Sequence, residues 1–477
     1  MKKEQLLDMI GEAPERDVHD AGRYKRRLPR TAKWLGGIAA VLAVVLLVQS
    51  PGMPLMLSAK AVSIASEARI LPRPKNGSSE AAFDAWREDI NTRDALTAEA
   101  RAPIADFAGQ VSAEMLASAD GENRLWSPVN AYIALAMTAE MTGSETQAQL
   151  LELLGAEDTE ALGSRVSAVW ETLYRSSLKS EICTLANSLW LDDDAVFVQE
   201  KMDTLAHDYY ASVYQGDLGS ARTNRAITAW MQKETGGFLS ERTGKPELSP
   251  EEQVMTIAST IYFRSKWANE FSAARNAEAI FHAPDGDVTR TFMNKTEAQM
   301  NYFWAEDFGA VQMQLKNGAS MWFILPDEGK TVADVLESGE YMAMVASDDS
   351  FPEENHKWMK VNFSVPKFDI SAGIDLKEGL QALGLTKIFE PLGNDFSPSV
   401  IRANEFDEPV YLSGIHQDTR VQIDEEGVAA ASYIELNFGA GAAAPPDEII
   451  DFVLDRPFLF VISKSGIPLF AGTVYCP

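Results

Sequence analysis

Hydrophobic residues are distributed along this chain in three ways, and each predicts a different kind of element. Residues 34–48 hold no charged or strongly polar side chain, and after Gln49-Ser50-Pro51-Gly52 the apolar run resumes over 53–57. A helix over 34–57 would rise about 36 Å, enough to cross a bilayer core. From about Ala102 the spacing becomes that of one-faced helices: Ile104, Phe107, Val111, Met115 and Leu116 share a face. Residues 132–141 and 146–154 predict two more helices, the second ended by Gly155. Strand-like runs follow at 254–263, 310–315, 321–325, 361–368 and 410–415. The last two, 458–462 and 469–474, flank Ser463-Lys464-Ser465-Gly466, which reads as a hairpin turn. Helices and strands come in clusters rather than in strict alternation, so the pattern predicts an α+β fold over a doubly wound sheet.

The flanks of the first apolar run give it a direction. Arg23, Lys25, Arg26, Arg27, Arg30 and Lys33 precede it with no acidic residue between them. Such a cluster keeps its side in the cytoplasm. Residues 1–33 are therefore expected to be a cytoplasmic basic tail and 34–57 a transmembrane signal-anchor. Residues 58–101, with Pro72-Arg73-Pro74-Lys75-Asn76-Gly77-Ser78-Ser79, read as a stalk or linker with partly helical character, and 102–477 as one domain. A single-pass protein with its domain outside the cell is the first expectation. The alternative is secretion after cleavage near Ala59-Lys60-Ala61.

Composition narrows the classes. The net charge of −28 disfavours nucleic acid as a partner, while 46% hydrophobic residues are too many for a disordered acidic tail. Two cysteines, Cys183 and Cys476, exclude a disulfide framework and a cysteine-based zinc site. No GxSxG, HExxH, Walker or GxGxxG motif occurs, and the short SxxK matches are explained by strand and turn. No catalytic residue, metal or cofactor is assigned, and a monomer is expected.

One segment combines strand and loop properties. From Val428 the period-two pattern places Val428, Ala430, Ser432, Ile434, Leu436, Phe438 and Ala440 on one face. Ala429, Ala431, Tyr433, Glu435, Asn437 and Gly439 form the other. The first face is apolar or small throughout. Yet Glu425-Glu426-Gly427 precedes the segment and Gly439-Ala440-Gly441-Ala442-Ala443-Ala444-Pro445-Pro446 follows it, a pliable tip for a protease cleft to seize. It is a loop fit to become a central strand, or else a plain edge strand with a flexible turn.

Motifs in series then point to a family. Asn123-Arg124-Leu125-Trp126-Ser127-Pro128-Val129-Asn130 resembles the N-x-x-x-S-P-x-S element of the serpins. Met141-Thr142-Gly143-Ser144-Glu145-Thr146, Ala186-Asn187-Ser188-Leu189-Trp190 and Ile261-Tyr262-Phe263-Arg264-Ser265-Lys266-Trp267 are similar to their "GA-x-G-x-T", "ANALF" and "IYFKGxW" stretches. The run from Met321 to Pro326, Val365-Pro366-Lys367-Phe368, Asp395-Phe396-Ser397, Arg456-Pro457-Phe458 and Phe470-Ala471-Gly472-Thr473-Val474 complete the order. From about Ile104 to Pro477 the chain resembles a bacterial-type serpin.

The resemblance implies three β-sheets surrounded by about eight or nine helices, an exposed reactive-centre loop, and inhibition of serine proteases by loop insertion. Glu425, Glu426 and Gly427 match the proximal hinge, and Val428, Ala429, Ala430, Ala431 and Ser432 the small-residue run that enters the main sheet. The family's spacing from Glu425 to the cleaved bond reaches Gly441-Ala442, with both neighbouring bonds still open. Small residues there imply an elastase-like or subtilisin-like target protease. Ser127, Asn130, Ser259, Trp267, Lys367 and His416 match positions beneath the sheet and at the loop's entry. Asn130 and Ser259 exchange the family's usual Ser and Asn, which reads as a compensating swap. His416 lies one residue further from Gly427 than the family's histidine. Lys367 and Glu425 match positions that form a salt bridge. The alternative is a serpin fold that binds or supports without inhibiting.

Overall fold

The computed structural model describes residues 60–63, 74–75, 77–117, 121–178, 181–239, 254–316, 318–347, 355–403, 409–428 and 448–477. The expected membrane segment 34–57, the hinge residues Ala429 to Ser432 and the bond Gly441-Ala442 lie outside the described residues. Among the described residues no helix is long and apolar enough to cross a membrane.

Nine α-helices occur among the described residues. The first, α1 (Glu80–Leu116), starts where Ser79 Oγ accepts the N–H of Ala82 at 3.3 Å. It runs without a break through the expected boundary at 101/102, and Arg93, Thr97 and Ala100, ahead of that boundary, are already buried. The segment expected as a stalk thus supplies more than half of a domain helix. The loop residues before Ser79 end where the cap begins. After it come α2 (Pro128–Met141), α3 (Ser144–Leu153), α4 (Thr159–Leu173), α5 (Gln199–Asp208), α6 (Ala221–Glu234), α7 (Val332–Ser338), α8 (Glu340–Ala346) and α9 (Lys377–Ala382).

Three sheets among the described residues complete the expected α+β class. The main sheet runs in the order β1 (Lys60–Ser63), β6 (Ala211–Gln215), β4 (Glu181–Leu191), β7 (Met255–Lys266), β16 (Gly427–Val428), β15 (His416–Ile423), β13 (Phe368–Asp375), with β3 (Arg175–Leu178) on β4. The second sheet has the order β17 (Ile449–Val453), β12 (His356–Pro366), β9 (Gly286–Trp304), β10 (Phe308–Gln314), β11 (Ala319–Pro326), β18 (Phe458–Lys464), β19 (Ile467–Val474), β2 (Arg124–Trp126), with β8 (Ala277–Ala283) on β9. A two-stranded sheet pairs β14 (Val400–Arg402) with β5 (Val196–Phe197).

Helix α2 is buried at nearly every position, because it lies between β7 and β19 and touches both sheets. On the opposite face of the main sheet, Ala226, Ile227, Trp230 and Met231 of α6 pack on Trp190. The hairpin β18–β19 forms as its pattern predicts. Its two turn residues, Ser465 and Gly466, have φ of 51° and 73°, the left-handed pair that a tight turn between twisted strands requires.

Two expected strands differ. Residues 361–368 are divided at Lys367 into β12 and β13, which enter different sheets. Residues 410–415 are not a strand. Their backbone is held irregularly, with Leu412 N–H donating to Ile388 O and Ile415 O accepting from Leu376 N–H, both at 2.8 Å. Their apolar character serves the wall of a cavity instead. The strand begins at His416.

Candidate functional site

The main sheet is continuous except along one border. Strands β7 and β15 run side by side, and among the described residues only the two residues of β16 pair between them. Gly427 pairs with Lys266, while Val428 pairs with Ser265 on one side and Ile423 on the other. The chain reverses from β15 into β16 through Asp424, Glu425 and Glu426. Asp424 Oδ1 accepts the N–H groups of Glu426 and Gly427 at 2.8 and 3.1 Å, and Gly427 O accepts from Asp424 N–H. Trp267, fully buried, holds the turn from β7's end. Its backbone N–H donates to Glu426 O at 2.9 Å and its Nε1 to Asp424 O at 2.8 Å. A Cβ on Gly427 would stand 2.3 Å from Ser265 O and 2.6 Å from Lys266 Cα, so this close approach admits only glycine.

Charge pairs brace the same turn. Lys367 Nζ lies 2.5 Å from Glu425 Oε1, and Asn276 Nδ2 donates to the same oxygen. Partial burial opposes ionisation of Glu425, but the hydrogen bonds from Lys367 and Asn276 and the lysine charge outweigh it and hold the carboxyl below its ordinary value. Lys266, itself buried, reaches Glu426 Oε2 at 3.1 Å and Glu270 at 3.8 Å. Sequence matching found Lys367 and Trp267 at this entry; Asn276 and Lys266 carried no recognisable signal.

Below Val428 the two strands face each other across an opening. Its inward walls are Phe263, Ile261 and Ser259 on β7 and Val421, Thr419 and Gln417 on β15. At its foot lies a cavity of about 240 Å³ between Leu135 and Met141 of α2, Met255 and Ile257 of β7, and residues 409–417.

A polar cluster underlies the opening. Ser259 Oγ donates to the side-chain oxygens of Asn130 and Asn187, the latter at 2.7 Å, and Asn130 Nδ2 donates to Ser259 O at 2.9 Å. Asn187 is anchored in turn by donating to Tyr209 O at 2.9 Å. The exchanged residues Asn130 and Ser259 therefore meet each other. Ser127 N–H donates to Gln417 Oε1 at 2.7 Å, Gln417 Nε2 returns a bond to Ser127 O at 3.1 Å, and Ser127 Oγ donates to Leu469 O at 2.6 Å.

His416 does not join this cluster. Alternation along β15 buries Gln417, Thr419, Val421 and Ile423 and turns His416 outward, where its Nε2 lies 3.3 Å from Asp418. Gln417 takes the inward place. The one-residue excess in the spacing from His416 to Gly427 was the signal for it.

On the outer face, Phe238 spans the opening. Its ring lies 5.9 Å from that of Tyr262 on β7 and 4.7 Å from the guanidinium of Arg420 on β15. Arg420 is itself held by Asp369 through two bonds of 2.8 and 2.7 Å. Among the described residues the site is a border of the main sheet at which only Gly427 and Val428 pair between β7 and β15, above a polar floor and beneath an outer side spanned by Phe238.

Comparison with known proteins agrees with this architecture. The profile described as Serpin (serine protease inhibitor) matches residues 102–477. Serpin-ZX of Arabidopsis thaliana is 30% identical over 377 residues, covering 74% of this chain and 92% of the relative. Serpin-Z1A of Triticum aestivum is 25% identical over 371 residues, covering 74% and 90%. The crystal structure of a thermophilic serpin, tengpin, in the native state is similar with a TM-score of 0.70 and 25% identity, over 88% of this chain and all of that one. With the profile spanning most of the chain and the relatives matched over almost their whole length, the chain belongs to the serpin family.

Proposed function

We propose that this serpin is a suicide-substrate inhibitor of serine proteases with elastase-like or subtilisin-like preference. The observation that carries the reading is the seat of Gly427 and Val428, already antiparallel to both β7 and β15, with no further residue pairing between those strands among the described residues. On insertion in that register Ala430 would stand between Phe263 and Val421, and Ile434 between Ser259 and Gln417. Leu436 and Phe438 then reach the cavity at the foot. The walls beside the upper positions, Phe263, Ile261, Val421 and Thr419, are buried, those further down β7 are half-buried, and the loop's own period-two pattern suits such a seat. The 12 residues of β7 give the position a length of about 40 Å.

The chemistry follows ordinary acyl transfer. The protease serine Oγ adds to the carbonyl carbon of Gly441, the Gly441–Ala442 bond breaks, and the amine of Ala442 leaves with a proton. Before cleavage the loop is tethered at β16 and again at β17, which belongs to the other sheet. Cleavage frees the end carrying the acyl-enzyme, insertion proceeds down the register, and the protease is carried away before water completes deacylation. Gly441 and Ala442 offer no large or charged side chain, which suits a shallow specificity pocket.

Residues 34–57 anchor the chain in a membrane in this reading, with the serpin domain outside and the basic segment 1–33 inside. The bacterial-type assignment rests on the sequence resemblance alone. Mass spectrometry after limited subtilisin treatment tests the bond: a fragment beginning at Ala442, together with a rise in the denaturation midpoint of the nicked protein, is expected. Cleavage outside 440–443, or nicking without a gain in stability, refutes the assignment.

A further inference from the structure

Lys295 of β9 is half-buried, and among the described residues it makes no ion pair. Its Nζ donates instead to two consecutive backbone carbonyls, Asn269 O at 2.7 Å and Glu270 O at 2.9 Å. It also stands 4.4 Å from the centre of the Phe271 ring. Burial, together with the positive charge of Arg275, pushes its pKa down to about 8 against the pull of Glu270. A lysine whose pKa is lowered by folding carries its charge at a cost to the fold at neutral pH. In a chain of net charge −28, rich in carboxylates, an ammonium kept in that state marks a functional position.

The backbone beside Lys295 is built to aim it. Between the pairs Phe363↔Lys295 and Val361↔Ala298, β9 has two residues where β12 has one, and Glu297 in this bulge takes a φ of 48°. Glu297 N–H is held by Asn362 Oδ1 at 3.0 Å. Bulges of this kind re-aim neighbouring side chains. The side chain reaches segment 268–271, which follows β7 and brackets the hinge. Just before that segment, Trp267 donates to Glu426 O and Asp424 O; at its end, Phe271 N–H donates to Glu425 O at 3.0 Å. Each residue of the turn leading into β16 thus accepts a bond from 267–271. The bracket is also tied by Ala268 N–H to Gln314 O at 2.8 Å and by Glu270 to Lys316 at 3.2 Å, a partly exposed pair of small worth. Lys295 adds charge-assisted bonds midway between the two ends that touch the hinge.

We propose that Lys295 is a positioning residue that pins the 268–271 bracket and thereby keeps Gly427 and Val428 seated between β7 and β15. The pin belongs to the intact hinge; its consequence for trapping rests on the insertion reading above. Removing it has two separable effects. Asn269 and Glu270 are exposed, so water replaces the lysine at both carbonyls and global stability is spared. The bracket, and the hinge it holds, opens more often.

Hydrogen exchange of the full chain, read by mass spectrometry beside guanidinium denaturation at pH 7, tests it. In Lys295→Met, peptides covering 264–272 and 422–428 exchange roughly tenfold faster, the size expected for a lost charge-assisted bond. Peptides from β18 and β19, and the denaturation midpoint, stay where they were. Lys295→Arg, which keeps the charge and the donors, restores slow exchange. Unchanged exchange in Lys295→Met, acceleration spread through β18 and β19 with a lower midpoint, or acceleration that Lys295→Arg does not reverse overturns the proposal. A stoichiometry titration with subtilisin keeps the two readings apart: trapped complex falls in Lys295→Met and returns in Lys295→Arg. If the wild-type chain itself forms no trapped complex, the insertion reading fails, and the exchange result still decides the role of Lys295.

Discussion

The hairpin β18–β19 and the border between β7 and β15 are walled by similar apolar residues but completed in different ways. Every residue of β18 and β19 is buried, and the pairing runs from Phe458↔Val474 to Lys464↔Ile467, closed by a two-residue turn. Along β7 and β15, Phe263, Ile261, Val421 and Thr419 are as deeply buried, yet among the described residues only Gly427 and Val428 pair between the strands. The first border is finished by residues adjacent in the chain. The second is completed, among the described residues, only at its entry. That contrast marks where the proposed insertion would act: at a border whose walls, floor and entry are already built.

Breaking the second border at its entry has the largest expected effect. Val428 is 2% exposed between two strands, so Val428→Arg would force a charge into a dry seat. The variant should be cleaved as a plain substrate, with trapped complex falling below a tenth of wild type in a stoichiometry titration. Retained trapping by Val428→Arg would contradict the insertion model.

Gly427→Ala comes next. A Cβ there meets backbone rather than a flexible side chain, so the hinge pair must leave the sheet. The expected loss in the intact form is about 1–3 kcal/mol, read from denaturant curves. An unchanged midpoint would show that β16 contributes nothing.

The floor allows a comparison in which two wrongs should correct each other. Ser259→Ala leaves the oxygens of Asn130 and Asn187 without their donor, at a cost of about 1–3 kcal/mol. Asn130→Ser combined with Ser259→Asn restores a donor–acceptor pair in the reversed order and should recover most of what either single change loses. Additive losses in the double variant would mean that the two positions are not exchangeable.

The smallest effect is titratable. The carboxyl of Glu425 is held below its ordinary value of 4.5, so its bracing is fully present above that pH and is lost as pH falls through the lower, folded-state value. Glu425→Gln should therefore be less stable than wild type at pH 7, and the gap should close in strong acid. A gap that is constant with pH would rule out the Lys367–Glu425 pair as its source.

What was legible in the sequence follows the same contrast. The hairpin could be read because its apolar runs and its turn residues agree locally. The inward seat of Val428 could be read because it breaks no rule of an inward strand face, and the family resemblance pointed to Lys367 and Trp267, which stand beside it. Strand β15 was missed: His416–Ile423 carries polar Gln417 and Thr419 on its buried face, so its alternation does not look apolar. The opposite error fell on 410–415, whose hydrophobicity lines the cavity at the foot of the opening without forming a strand. Gln417 was hidden for a related reason, since residue type favoured His416 and only the strand's register favours its neighbour. Phe238 and Arg420 lie far apart in sequence, and their clasp exists only once β7 and β15 stand side by side.

The measurement that bears most directly on the central claim is incubation of the full chain with an elastase or a subtilisin, followed by denaturing electrophoresis. The account predicts an SDS-stable band at the combined mass of protease and cleaved inhibitor, together with release of the fragment that begins at Ala442. Complete conversion to the nicked protein with the protease still active, and no such band, would contradict it.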